Sequence, residues 1–273
     1  AGGRHNPEFT MLEWYRPGFS LEQLVQECLH LFAELFPGAA PQHYRFRDLF
    51  AHVTQLDPLT ARDIDLIACA ECHGAPSGLE KTAAVDYLMA TQVEPALPTE
   101  QLAVVSHFPG WAAALAQTCN DSDGACVARR FEIYYRGLEL ANGYQELTDS
   151  NEQLRRFHQD NRLRREQGLH AMESDPYLLA AMNTGLPDCS GVAMGVERLL
   201  MKKGKMIGYF IADQQSAFYQ SPAFSKVLTY VQTNPRQVTM KEKQTRNGLR
   251  LLLTFNRINS AGKALRALKS FQG

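Results

Sequence analysis

Two sets of side chains alternate near the start of the chain, in residues 4–16. One set combines an aromatic ring, an acid and a phenol, and its members are Phe9, Met11, Glu13 and Tyr15. The other set consists of Thr10, Leu12 and Trp14. A repeat of two residues is the period of a β-strand. The pattern therefore predicts a strand with one chemically mixed face.

A helical pattern follows directly. Ser20 and Gln23 have the spacing of a capping box, and Pro37-Gly38 ends the apolar stripe that comes after them. The stripe has the spacing of one helix face and consists of Leu21, Leu24, Val25, Cys28, Phe32 and Leu35. Beyond it, the pattern predicts short helices at about 60–71 and 79–92 and a strand over Leu102 to Phe108. We expect these segments to form the scaffold.

The strongest β signal lies in residues 129–147. Its first strand alternates apolar and polar positions, Arg136-Gly137 predicts a turn, and a second strand runs from Leu138 to Leu147. Glu132, Glu139 and Glu146 recur at intervals of seven. Because seven is odd, the turn and a kink at Asn142-Gly143 are needed to bring the three acids onto a common face.

The segments after this hairpin have clear helix and strand signals. Asp149 caps a charged helix that extends to about Gly168, and Asp175-Pro176 begins a second helix that ends at Gly185. Residues 188–195 (DCSGVAMG) form a predicted strand of small side chains, and residues 196–201 begin another helix. A nucleotide can approach closely where such a strand meets a helix N-terminus.

Composition adds a division that the apolar pattern does not show. Residues 202–273 carry 13 Lys and Arg against only Asp213 and Glu242, a net charge of +11, whereas residues 1–201 have a net charge of −12. This difference predicts a boundary near Met201 and two domains, 1–201 and 202–273, with the second folding independently. The basic second domain has strand patterns at Met206 to Ile211 and Leu249 to Phe255, and helix patterns near 224–232 and 261–271.

Hydrophobicity and cysteine content indicate the cellular compartment of the protein. The chain has 273 residues, 45% of them hydrophobic, with no apolar run long enough to span a membrane and no signal-peptide pattern. These features predict a cytoplasmic protein and a sequence that begins inside its gene. Six scattered cysteines indicate reduced thiols. Cys69, Cys72 and His73 have zinc-ligand spacing, although no second pair of cysteines follows at such spacing.

Three motifs, in the correct order, carry a family resemblance across residues 3–201. RHNPEFTMLEWY resembles part of motif 2 of the class II lysyl-tRNA synthetases, FEIYYRGLELANGYQEL their metal and substrate hairpin, and GLPDCSGVAMGVERLLM their motif 3. Within that family the chain most resembles the short paralogues that ligate (R)-β-lysine to elongation factor P. The resemblance implies an α+β fold, in which helices flank the antiparallel sheet of a class II synthetase. The strand and helix patterns of residues 202–273 predict a small α/β domain after it.

The resemblance also assigns an ATP site. Arg4, His5 and Asn6 match a loop that holds ATP phosphates, and Phe9 and Arg198 match the residues that enclose the adenine ring. Arg198 would also neutralise phosphate charge during catalysis. Two further groups complete the implied site. The Mg²⁺ ligands are Glu132 and Glu139, and the close backbone approaches to the nucleotide are at Leu140 and Gly195.

The remaining matches form the implied amino-acid pocket. Glu13, Tyr15, Asn142 and Glu146 match residues of this pocket. The two acids would pair with the two amino groups of a diamino acid, and Asn142 would bind its carboxylate. Ala193 stands where lysyl-tRNA synthetases usually have glycine. Its methyl group predicts a pocket that prefers (R)-β-lysine to α-lysine.

The chain departs from the family pattern at both ends. Motif 1, which implies a homodimer in the intact parent, and the first half of motif 2 would precede Ala1. Residues 202–273 resemble instead the C-terminal domain of bacterial transcription-repair coupling factors. Two alternatives to a ligase therefore stay open, a true lysyl-tRNA synthetase and a non-catalytic DNA-repair or transcription module. Nucleic-acid binding by the basic tail is a further alternative, although its aromatic residues are better explained as core.

Overall fold

A computed structural model describes residues 9–202, 206–211, 238–245 and 248–255 of the chain. The chain divides into two compact units, one of residues 13–193 and the other of residues 1–12 together with 194–273.

The first unit is built on a seven-stranded sheet with the strand order β1-β7-β6-β5-β3-β2, and β4 pairs with β5. Its strands are β1 (Met11–Pro17), β2 (Pro41–Arg45), β3 (Leu102–Pro109), β4 (Thr118–Asn120), β5 (Cys126–Tyr135), β6 (Leu138–Gln145) and β7 (Cys189–Gly195). β5 pairs antiparallel with β3, β4 and β6, as the class II resemblance implies.

The edge pair β2–β3 is parallel, so the sheet is mixed at this edge and antiparallel around β5. The reason is the connection, because parallel neighbours need a crossover, and here the crossover is helical. It contains α2 (Phe46–Thr54), α3 (Asp63–Cys72), α4 (Lys81–Leu88), a π-helical turn (Met89–Val93) and α5 (Glu94–Ala96). The two predicted helices correspond to α3 and to α4 with its π-helical turn, whereas β2 and α2 were not predicted.

The structure confirms the first predicted helix, α1 (Leu21–Leu35). Ser20 and Gln23 form the complete capping box, and the helix ends before Pro37. Phe36, just after its end, packs against Tyr135 of β5 with ring centroids 4.7 Å apart. This helix therefore lies on the sheet face that carries Tyr135.

The crossover helices cover the opposite face of the sheet. Tyr134 belongs to their buried apolar cluster, together with Ala103 and Val105 of β3. Successive strand residues point to opposite faces, so Tyr134 and Tyr135 place the two helical layers on the two sides of the sheet. The acids of the hairpin share the Tyr134 face.

Two helices connect β6 and β7 along the chain, as predicted. They are α6 (Ser150–Glu166), capped by Asp149, and α7 (Pro176–Asn183), capped by Asp175.

The other unit contains α8 (Val196–Lys202) and a three-stranded sheet. Its strands β8 (Met206–Ile211), β9 (Val238–Thr245) and β10 (Gly248–Phe255) pair antiparallel in the order β8-β10-β9. β8 and β10 match the predicted strands, and β9 was not predicted. The predicted helices near 224–232 and 261–271 lie outside the described residues.

Candidate active site

The β5–β6 hairpin brings its polar side chains onto one face. Its turn is formed by Arg136 and Gly137, both with positive φ (51° and 68°), as primed hairpin turns require. Across the hairpin, three cross-strand pairs place their side chains on a common face. These pairs are Arg130–Tyr144, Glu132–Asn142 and Tyr134–Glu139.

A β-bulge makes this common face possible. Ile133 pairs with Ala141 but Tyr134 pairs with Glu139, so Leu140 is an additional residue on β6. A bulge residue shifts the alternation of its strand by one. The irregularity that a common face requires is therefore present, but it lies at Leu140 and not at Asn142-Gly143. Glu146, four residues beyond Asn142, returns to the same face.

Glu132 is the most deeply buried acid of this face, with a side chain 8% exposed. Burial raises the pKa of its carboxyl, and the nearby charge of Glu139 raises it further, whereas Arg130 and Tyr134 oppose that rise. The Arg130 guanidinium donates to one carboxylate oxygen and the Tyr134 hydroxyl to the other. The amide of Asn142 lies 3.5 Å from the first oxygen.

Glu132 and Glu139 lie near each other on this face, and two neighbouring carboxylates suit a hard divalent cation. Two close carboxylates repel each other unless a cation lies between them, and Mg²⁺ is typically held by one or two carboxylates together with substrate phosphates. Within the described ranges, no three His, Cys, Asp or Glu side chains are grouped to hold a metal. A metal at the two glutamates would thus depend on ligands from a bound nucleotide.

The predicted amino-acid side of the face is centred on Glu146. A Cβ atom built on Gly191 of β7 would lie 2.3 Å from Glu146 Oε1 and 2.6 Å from the Tyr15 ring. The glycine therefore leaves the space in which the Glu146 carboxylate and the Tyr15 ring lie. Glu13 and Ala193 are two residues from Tyr15 and Gly191 on their own strands, so both share this face.

The environment of Glu146 is electrostatically unusual. Burial raises the pKa of its carboxyl to about 7. The Tyr15 pKa is also raised, mainly by burial and by the charges of Glu146 and Glu13. Within the part of the chain that the structure describes, the Glu146 side chain accepts no hydrogen bond, so its carboxylate is suited to a cationic ligand.

A hydrogen-bond network fixes β7 beside β6. The Glu146 amide donates to the Cys189 carbonyl at 2.9 Å, and the Ser190 hydroxyl donates to the Phe19 carbonyl at 2.9 Å. The Gln145 side chain connects Ser190 to Asp188. These bonds hold Gly191 against Glu146. None of the polar side chains was singled out from the sequence, because their positions carry no motif that distinguishes them from solvent-exposed polar residues.

The residues of the other unit that the sequence predicts to bind the nucleotide have the following positions. Phe9 is 62% exposed, so it is available for stacking and does not belong to a core. The Glu197 carboxylate is buried and accepts from the Thr10 amide at 2.9 Å. Carbon atoms of the Arg198 side chain lie 3.4 Å from the position of a Cβ on Gly195. Arg4, His5 and Asn6 lie outside the described residues.

The match to a family model decides the family. The model of the tRNA synthetases class II (D, K and N) matches residues 2–206. The chain belongs to this family. The predicted class II fold and the family resemblance are confirmed, whereas the resemblance of residues 202–273 to transcription-repair coupling factors stays a prediction, as does the boundary at Met201.

Curated relatives are similar to this chain over the same region. Two proteins named elongation factor P–(R)-β-lysine ligase, from Mannheimia succiniciproducens and Pasteurella multocida, are 46% and 45% identical over 203 residues. A third of that name, from Pseudoalteromonas translucida, is 42% identical over 205 residues. Each match covers 74% of this chain and 62–63% of the relative. The chain thus spans about three fifths of the length of these relatives.

The described parts of the chain contain no helix that is both long enough and apolar enough to cross a membrane.

The raised pKa of Glu146 predicts that stability depends on pH. The unfolded chain ionises this carboxyl near its ordinary pKa of 4.5, whereas the folded protein holds the proton up to about pH 7. Stability from this group is therefore complete below pH 4.5 and is lost as pH rises to about 7. Glu146→Gln removes the loss, so above pH 7 the variant should be more stable, by on the order of 1 kcal/mol after allowance for solvent screening.

Urea unfolding at pH 5 and pH 8 measures this effect. Glu34→Gln, at an exposed position of α1, is the matched control. The neighbouring Tyr15 and Tyr144 also have raised pKa values and stay neutral over this range. An equal stability difference between Glu146→Gln and the wild-type protein at both pH values would contradict the assignment.

Proposed function

We propose that the protein activates (R)-β-lysine with ATP as an aminoacyl adenylate and ligates it to a lysine side chain of elongation factor P. The observation that carries the proposal is the Glu146 carboxylate, which is half-buried beside Tyr15 over Gly191 and accepts no hydrogen bond from the described residues. It lies on the same sheet face as the Glu132–Glu139 pair. An ammonium site next to a candidate metal-nucleotide site suits a diamino acid substrate. The names of the curated relatives support the same substrate and acceptor.

The first chemical step follows from this arrangement. Glu146 and Glu13 pair with the amino groups of the substrate, and Asn142 orients its carboxylate towards the α-phosphorus of ATP. Phe9 and Arg198 hold the adenine ring, and Arg4, His5 and Asn6 hold the phosphates. Glu132 and Glu139 would hold Mg²⁺, which would offset the negative charge of the phosphate oxygens. The substrate carboxylate attacks the α-phosphorus, and pyrophosphate leaves.

The second step is the transfer to the acceptor. The amine of the acceptor lysine attacks the activated carbonyl and forms an amide, and AMP leaves with the bonding electron pair. No side chain of the protein acts as a nucleophile, so the protein contributes position and charge. We also propose that the intact protein is a homodimer and, because its proposed acceptor is a translation factor, that it acts in the cytoplasm.

The methyl group of Ala193 predicts the substrate preference. ATP–pyrophosphate exchange should be faster with (R)-β-lysine than with α-lysine, and Ala193→Gly should shift the ratio of kcat/KM values towards α-lysine. A methyl-sized change in an apolar contact corresponds to about tenfold. Ala125→Gly, in the β4–β5 turn, is the control and should leave the ratio unchanged. Equal rates with both lysines would contradict the proposed substrate, and an unchanged ratio in Ala193→Gly would remove this residue from the explanation.

A further inference from the structure

Arg130 is a largely buried cation in the hairpin face to which neither the motifs nor the proposed chemistry assigns a role. Its side chain is 17% exposed. The guanidinium carbon lies 4.5 Å from the centroid of the Phe108 ring and 5.7 Å from that of the Tyr144 ring. Nη1 donates to the Ala112 carbonyl at 2.9 Å, and Nη2 donates to Glu132 Oε1. Two rings, one carbonyl and one carboxylate thus contact this side chain.

These contacts indicate that Arg130 keeps its place when a metal binds. If an incoming metal ion displaced Arg130, the guanidinium would have to leave Glu132 for solvent or for another acid. Leaving would break the Ala112 hydrogen bond and remove the guanidinium from both aromatic rings. Nε is already buried without a partner among the described residues, so further loss of partners would be costly. Arg130 is therefore an anchored part of the site.

Glu132 is the residue that this anchoring affects. Its two oxygens accept from opposite sides, Oε1 from Arg130 and Oε2 from the Tyr134 hydroxyl. Two donors on the two oxygens fix the plane of the carboxylate. A carboxylate has about four acceptor positions, so these donors leave capacity for a metal ion. The charge of Arg130 also offsets part of the repulsion between Glu132 and Glu139.

We propose that Arg130 is a positioning residue that holds the Glu132 carboxylate in the orientation in which it binds the metal of a metal–nucleotide complex. The inference rests on the proposed function, because it takes Glu132 as a metal ligand. It adds a residue that contacts neither the nucleotide nor the amino acid and acts through Glu132 alone. Partners that orient a metal ligand typically contribute about 10–100-fold to metal affinity.

The test uses calorimetry to measure how ATP binding to the whole protein depends on the Mg²⁺ concentration. No amino acid is present. Arg130→Met keeps the length and the apolar contacts of the side chain but removes its charge and its donors. We expect the Mg²⁺ concentration at half-saturation to rise about tenfold or more. Arg130→Lys, which keeps the charge without the planar fork, should recover part of the loss. Arg136→Met, on the exposed turn of the same hairpin, is the matched control and should match the wild-type protein.

The outcomes separate the inference from the proposed function. A wild-type protein that binds ATP with Mg²⁺, together with an unchanged half-saturation in Arg130→Met, would overturn the role of Arg130 alone. A lower half-saturation in that variant would show that the arginine competes with the metal, and would also overturn it. A wild-type protein without Mg²⁺-dependent ATP binding would overturn both. If Arg130→Met does not fold, Tyr134→Phe removes the other donor to Glu132 and should raise the half-saturation in the same direction, and an unchanged value there would contradict the inference.

Discussion

Replacing Glu139 by glutamine is expected to slow ATP–pyrophosphate exchange by a factor of about 10²–10³, the scale observed when one preorganised electrostatic contact is removed. Glutamine has the same volume but no charge, so a metal at this face would lose one of its two carboxylates. Glu139 is half-buried and pairs with Tyr134 across the hairpin, next to Glu132. The effect should appear in kcat and in the dependence on Mg²⁺, while thermal unfolding changes little.

The control for this prediction is Glu100→Gln, which removes an exposed carboxylate that pairs with Arg136. It should leave exchange unchanged. Near-wild-type exchange in Glu139→Gln would contradict the metal role of that residue, and equal losses in both variants would indicate a general electrostatic effect.

Replacing Gly191 by alanine is expected to raise the KM for the amino acid at least tenfold while the KM for ATP stays within about twofold. The new Cβ would lie 2.3 Å from Glu146 Oε1 and 2.6 Å from the Tyr15 ring, so one or both must move. A displacement on the order of 1 Å in a positioning group can cost about 10²-fold in rate. Steady-state kinetics with each substrate varied in turn measures this, with ATP as the internal control.

An equal rise in both KM values would mean that alanine disturbs the sheet as a whole. An unchanged KM for the amino acid would show that the space between Glu146 and Tyr15 does not hold the substrate.

Local sequence signals predicted much of the scaffold. Ser20 and Gln23 predicted the start of α1, and Arg136-Gly137 predicted the hairpin turn, because each depends on chemistry within a few residues. The spacing of the acidic residues indicated that they could share a face only if the hairpin contained an irregularity. The position of the bulge was not predicted, because Leu140 resembles any apolar strand residue, whereas Asn142-Gly143 resembles a turn.

Features that depend on distant parts of the chain were missed. The strand β2 has neither clear alternation nor an apolar run, and its pairing with β3 forms across more than 50 intervening residues. Arg130 stands beside Arg129 in the sequence, and no motif singled out Arg130 as the residue that shares a face with Glu132. A signal was present, since Arg130 precedes Glu132 by two residues and period-two alternation places both on one face. Gly191 was recognised as part of a strand of small residues, but its contact with Glu146 appears only in three dimensions.

The most direct test of the central claim is mass spectrometry of elongation factor P after incubation with the protein, ATP, Mg²⁺ and (R)-β-lysine. The proposed function predicts that a single lysine of elongation factor P gains the mass of one lysyl residue, only when ATP is present. Glu146→Gln should reduce this gain strongly at neutral pH, because the ammonium partner is lost. An unmodified elongation factor P, together with ATP-dependent charging of tRNA by α-lysine under the same conditions, would contradict the proposed function and favour a tRNA synthetase.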